Sequence, residues 1–270
     1  MSSDVTRRAF LFGIIGAAAA GWVWMRDRGL SADSVPTTTA GQAAPPTTTT
    51  LPATTAPPTT TAAPASSTTT STTLTPTQIE ALCRDSWGAR AATGSFTDHT
   101  IERMTVHHTA RELRRNSDAP RAIRGHQNFH QRDRGWADIA YHFIIDLEGN
   151  VYECRPTGAV GDTGTNYDPT GHFLVCCEGD FNQQELPAAQ QEALVDVLAW
   201  ASLEFGVAAD TIAGHRDVAS TSCPGDDLYA LIESGELVQA VQDRNANGGV
   251  ALEVVCGDVA FDRVRAIENA

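Results

Sequence analysis

The apolar positions of this chain fall into three regimes. An apolar run covers Ala9 to Met25, a stretch from Ser34 to Ile79 has neither charge nor apolar periodicity, and short apolar patterns of changing period fill the rest. Pro187 to Phe205 gives the clearest helix, because Leu194, Val197, Leu198, Ala201 and Phe205 recur at helical spacing on one face and Val195 widens it. A second helix is predicted for Ala119 to Gln131, with Asp118 as N-cap and Pro120 in the first turn. Thr75 to Cys83, opening on Thr-Pro, reads as a short helix, and the chain after Asp226 as helical to about Val241. Strands are predicted at Met104 to His108 and at Phe173 to Glu178, the second a continuous apolar run suited to the centre of a sheet. Ala140 to Asp146 and Val151 to Cys154 flank Leu147-Glu148-Gly149-Asn150 as a hairpin. Gly248 to Ala270 has no readable pattern. Strands interleaved with helices predict an α/β fold, a single domain with a central mixed β-sheet flanked by helices.

Composition changes the picture at the N-terminus. Arg7 and Arg8 precede the apolar run and Arg26 and Arg28 follow it, the layout of an export signal, and Thr6-Arg7-Arg8-Ala9-Phe10-Leu11 resembles a twin-arginine signal. Ala17 to Ala20 offer small residues for cleavage, while Trp22, Val23 and Trp24 lengthen the run enough for an uncleaved membrane anchor, so both outcomes stay open. From Ser34 to Ile79, Thr, Pro, Ala and Ser leave too little apolar surface to offset the entropy of ordering. Residues 1–33 are therefore read as export signal or anchor, 34–79 as a disordered linker, 80–232 as the domain that carries the chemistry, and 233–270 as a C-terminal extension packed on or following it. At about 3 Å per residue, such a linker reaches on the order of 100 Å from a membrane. The expected location is outside the cytoplasmic membrane, in the wall or beyond it, and the expected state is a monomer.

The chain carries a formal charge of −14, and from Glu80 onward 15 Arg stand against 30 Asp and Glu. A domain of this sign repels phosphate backbones, which excludes nucleic acid as a partner. Six cysteines in an exported chain point to disulfides. Cys83 and Cys256 stand near the two ends of the folded part, where a bridge closes the longest loop, and are the favoured pair. Cys154 facing Cys176 or Cys177 across neighbouring strands is the other pairing considered.

Three segments hold the candidate chemistry: Thr105-Val106-His107-His108-Thr109-Ala110, Asp138 to Ile145, and Gly214-His215-Arg216-Asp217 through Cys223-Pro224-Gly225. A catalytic zinc takes three protein ligands and keeps one open position, and His107, His215 and Cys223 are of the right types. Strand alternation prevents His107 and His108 from facing one site together.

These segments, with Ser86-Trp87-Gly88-Ala89-Arg90, Gln127 to His130 and Arg134-Gly135-Trp136, resemble in order the zinc amidases that include N-acetylmuramoyl-L-alanine amidases and peptidoglycan recognition proteins. The resemblance implies zinc on His107, His215 and Cys223, a catalytic hydroxyl on Tyr141, and Thr221 close to the reacting carbonyl. It implies peptidoglycan, glycan strand and stem peptide together, as partner, and cleavage between the muramic acid lactyl group and L-alanine. The competing expectation is a recognition protein that binds without cutting; Cys223 favours catalysis, because the members that only bind typically lack the thiolate. His142 reads as structural, Asp217 as either a support for an imidazole or a surface acid, and Glu178 receives no base role. Asp162 stands where many relatives have His, Cys176 where some amidases have an acid, and Cys154 where Gly is usual.

Overall fold

Seven short β-prone segments pair into one sheet in the computed structural model, which describes residues 74–270. The expected signal or anchor and the expected linker up to residue 73 lie outside the described residues. The strands are β1 (Thr77–Leu82), β2 (Arg103–His108), β3 (Phe143–Ile145), β4 (Val151–Glu153), β5 (His172–Cys177), β6 (Ile212–Gly214) and β7 (Val250–Val255), in the spatial order β6-β2-β5-β3-β4-β1-β7. Every neighbouring pair is parallel except β3 with β4, which the Leu147-Glu148-Gly149-Asn150 turn folds back as a hairpin. The sheet is mixed, and helices flank it on both faces, as expected from the interleaved pattern.

One face holds Met104, Val106, Phe143, Ile145, Phe173, Val175 and Cys177 against α2 (Ala188–Glu204). The other holds Leu82, Ile144, Tyr152 and Cys176 against Trp87, Ile123 of α1 (Ala119–Arg132), and Ala260 and Val264 of α6 (Gly257–Glu268). Helix α2 is buried well beyond its predicted stripe, with Ala193, Asp196, Ala199 and Ser202 also inside. The cause is α5 (Glu236–Ala246), which covers the outer side of α2 and ties to it through Arg244 on Asp196 and Glu192. The helical stretch expected from Asp226 to Val241 is broken into α4 (Asp226–Glu233) and α5 by Gly235, whose φ of +79° a residue with a side chain rarely adopts.

Two expectations fail in the same place. Thr75 to Cys83 is not helical: β1 runs from Thr77, three residues inside the stretch read as linker, and pairs from Thr77↔Val250 to Leu82↔Val255 with β7 while Ala81 and Leu82 also pair with β4. Pairing on both sides overrides a weak local helix preference. Its partner β7 and α6 lie in the tail that showed no pattern, and Cys83 is bonded to Cys256 at the end of the same ladder. Cys154 does not reach Cys176 or Cys177, because β3 lies between β4 and β5; these three thiols are buried and free.

His142 shows how tightly the sheet's upper layer is wired. Its Nδ1 accepts the Leu174 N–H at 2.9 Å and its Nε2 donates to the Ala159 carbonyl at 3.0 Å. A protonated ring would set one N–H against another, and burial depresses the pKa from 6.5 to about 3. Burial lowers His130 to about 3 as well. The unfolded chain therefore binds these protons first, and stability present above about pH 6.5 is lost as the pH falls toward 3. The urea midpoint is expected to be lower at pH 4 than at pH 7; equal midpoints would contradict the assignment.

Candidate metal centre

Alternation along β2 sends Val106 and His108 toward the α2 side and Thr105 and His107 toward the α1 side. Register then brings the second imidazole in. Val106 pairs with Gly214, so the residue after β6, His215, emerges beside His107 as the first residue of α3 (His215–Val218), with ring centroids 4.6 Å apart. Asp217 fixes that turn: its Oδ2 accepts the Gly214 N–H at 2.7 Å and its Oδ1 accepts the Tyr229 hydroxyl at 2.6 Å. It touches neither imidazole through these bonds.

The chain returns with Cys223. The Arg216 N–H donates to the Cys223 carbonyl at 2.9 Å, and the Cys223 N–H donates to Thr221 Oγ1 at 3.2 Å. Gly225 closes the turn with φ of +91°, and a Cβ there would stand 2.7 Å from Phe181, so only glycine fits. Cys223 Sγ lies 3.7 Å from His107 Nδ1 and accepts the His108 N–H at 3.4 Å. The ring of His108 points away, its Nδ1 accepting the Phe181 N–H at 3.3 Å.

The three side chains fit a zinc ion. Ligand atoms of His107, His215 and Cys223 lie within 4.8 Å of one another, and all three residues are buried. The 3.7 Å between sulfur and nitrogen is close to the edge of a zinc tetrahedron, about 3.6 Å from the usual bond lengths. Burial, then the neighbouring His215, holds the His107 pKa well below 6.5, and burial lowers that of His215, so both rings are in the neutral, metal-binding form. Burial pushes the Cys223 thiol up to about 12, so a metal must displace its proton.

Around these three, Tyr141 stands two residues before β3 with its ring 5.2 Å from that of His107. Burial, then Cys176, raises its phenol well above the usual value, keeping it a proton donor at neutral pH. Thr221 stands two residues from Cys223 and supports that residue's backbone. Asp162 is taken up by buried Arg155 and belongs to that ion pair.

Glu178 received no role in the sequence reading, and Thr165 and Tyr167 escaped it. Glu178 is buried one same-face step beyond Cys176, with its carboxylate accepting the Thr109 hydroxyl at 3.2 Å and 3.1 Å from His126 Nε2. Thr165 and Tyr167, from the loop after Asp162, both reach His215. Neither contact has a local signature, since each joins residues about fifty positions apart.

A family model described as N-acetylmuramoyl-L-alanine amidase matches residues 97–226. Peptidoglycan recognition protein 1 of Mus musculus is 31% identical over 156 residues, covering 57% of this chain and 86% of that protein. The crystal structure of Drosophila peptidoglycan recognition protein SD superposes with a TM-score of 0.53 at 26% identity, over 56% of this chain and 92% of that one. Peptidoglycan recognition protein LE, solved in complex with tracheal cytotoxin, a monomeric diaminopimelic acid-type peptidoglycan, gives a TM-score of 0.53 at 28% identity, over 57% and 92%.

Proposed function

This chain belongs to the family of N-acetylmuramoyl-L-alanine amidases and peptidoglycan recognition proteins, and from that premise we propose that it is a zinc-dependent amidase cutting between N-acetylmuramic acid and L-alanine in peptidoglycan. The observation that carries this reading is the buried meeting of His107, His215 and Cys223, a donor set with room for one exchangeable position. Binding of a peptidoglycan fragment by a similar protein supports the substrate class.

Zinc, when bound by these residues, supplies Lewis-acid polarisation of the scissile carbonyl and activation of water. The chain supplies the rest. Tyr141, kept protonated by burial, donates a hydrogen bond to the oxygen on which charge develops. Thr221, with its oxygen committed to the Cys223 N–H, has its own proton to offer to the same oxygen or to the departing amine. Export through the twin-arginine-like segment, with cleavage or anchoring at residues 1–33, would place this chemistry at the wall. Among the described residues no helix is long and apolar enough to cross a membrane.

The test is incubation of the full chain with purified peptidoglycan, with and without a chelator, and identification of products by mass spectrometry. Free stem peptides beginning at alanine and an intact glycan, lost with chelator and restored by zinc, are expected. Binding without products would make the chain a recognition protein, the reading favoured by the names of its relatives. Cleavage that survives removal of all metal would defeat the zinc reading. Tyr141→Phe is expected to retain one zinc per chain and to lower turnover about ten- to a thousandfold; unchanged turnover would remove Tyr141 from the chemistry.

A further inference from the structure

The loop between β4 and β5 makes contacts to the centre that neither the metal nor the reaction requires in advance. Thr165 Oγ1 lies 2.8 Å from His215 Nε2. It also lies 2.8 Å from Thr163 Oγ1, and the Thr165 N–H donates to that same Thr163 oxygen at 3.1 Å. With the Thr165 hydroxyl proton given to Thr163, the Thr165 oxygen is left as an acceptor. Tyr167 meets the His215 ring edge to face at 5.1 Å, so one short loop holds the imidazole on two sides.

The loop itself is anchored. Arg155, buried, donates through Nε to the Ile139 carbonyl at 2.8 Å and through Nη2 to the Asp138 carbonyl at 3.1 Å, and it pairs with Asp162 at the loop's start. Gly161 sits so close to the sheet that a Cβ would stand 2.7 Å from the Ala140 carbonyl oxygen. A loop tied down in this way can define a ring orientation, which a free loop cannot.

We propose that Thr165 is a positioning residue for the metal centre: its hydroxyl accepts the Nε2–H of His215 and fixes the tautomer that leaves Nδ1 for zinc. The inference rests on the zinc reading above and extends it to a residue outside the ligand set. A hydrogen bond of this kind orients the ring and raises its basicity, and its loss typically weakens metal binding about ten- to a hundredfold.

The experiment compares the full chain with Thr165→Val, Thr165→Ala and Thr165→Ser. Zinc affinity is read by competition with a chromophoric chelator, and the His215 tautomer of the metal-free protein by long-range proton–nitrogen NMR of its imidazole. The two variants without a hydroxyl are expected to bind zinc about ten- to a hundredfold more weakly and to lose the single Nε2–H tautomer, while Thr165→Ser stays within about threefold of wild type. Wild-type affinity and tautomer in either hydroxyl-free variant would overturn the proposal, as would equal losses in Thr165→Ser. A wild-type chain that binds no zinc would defeat the metal reading instead, and the tautomer comparison would still decide whether Thr165 sets the ring. Should one hydroxyl-free variant fold poorly, the other carries the comparison, since valine fills the threonine volume and alanine relieves it.

Discussion

Cys223→Ser is expected to bind less than about a tenth of an equivalent of zinc and to lose on the order of a thousandfold in turnover. A serine hydroxyl stays protonated where a thiolate forms on metal binding, so the centre loses its one anionic donor as well as a ligand. The fold should survive. The bonds that shape the turn, Arg216 N–H to the residue 223 carbonyl and the residue 223 N–H to Thr221, belong to the backbone at that position. The metal-free variant is accordingly expected to unfold within about 1 kcal/mol of metal-free wild type. Metal analysis after dialysis, turnover on peptidoglycan and urea melts measure the three quantities. A variant with wild-type turnover would remove Cys223 from the centre; one that fails to fold would show that the thiol is structural.

The adjacent histidines are expected to separate completely in their effects. His107→Ala should abolish zinc binding and hydrolysis, because the ring that lies 3.7 Å from the thiol and 4.6 Å from His215 is gone. His108→Ala should keep the metal and cost about 1–3 kcal/mol, since it leaves the Phe181 N–H without its acceptor and opens space beside the Phe181 ring. The contrast is a direct consequence of period-two alternation: consecutive residues of β2 face different layers. Loss of zinc from His108→Ala with retention in His107→Ala would reverse the assignment.

Features that depend on local pattern were legible in the sequence. The strand bearing His107 and His108, helices α1 and α2 and the hairpin are all written in short-range order, and the bridge between Cys83 and Cys256 followed from their places at the ends of the folded part. What was illegible depends on partners far along the chain. Thr77 to Leu82 is a strand because β7 and β4 lie beside it, and Asp196 is buried where α5 lies over α2 and sets Arg244 against it. Asp118 was expected to cap α1 with its side chain, yet its carboxylate bonds Arg115 and Arg121 instead, a choice decided by two nearby cations. Thr165 was missed for the same kind of reason. A threonine in a Gly- and Asp-rich loop carries no mark of the histidine it will meet fifty residues later.

The ladder between β1 and β7 sets an order of events during synthesis. Strand β1 leaves the ribosome first, but the partner for its outer edge, Val250–Val255, is made about 170 residues later. At roughly 5–20 residues per second, that edge waits about ten to thirty seconds before its hydrogen bonds can be filled. A nascent chain stopped short of β7 would present an open strand edge, the surface most prone to wrong pairing and to capture by quality control. The sheet is thus closed by the last strand made, and the thiols of Cys83 and Cys256 are brought together only when that strand has docked.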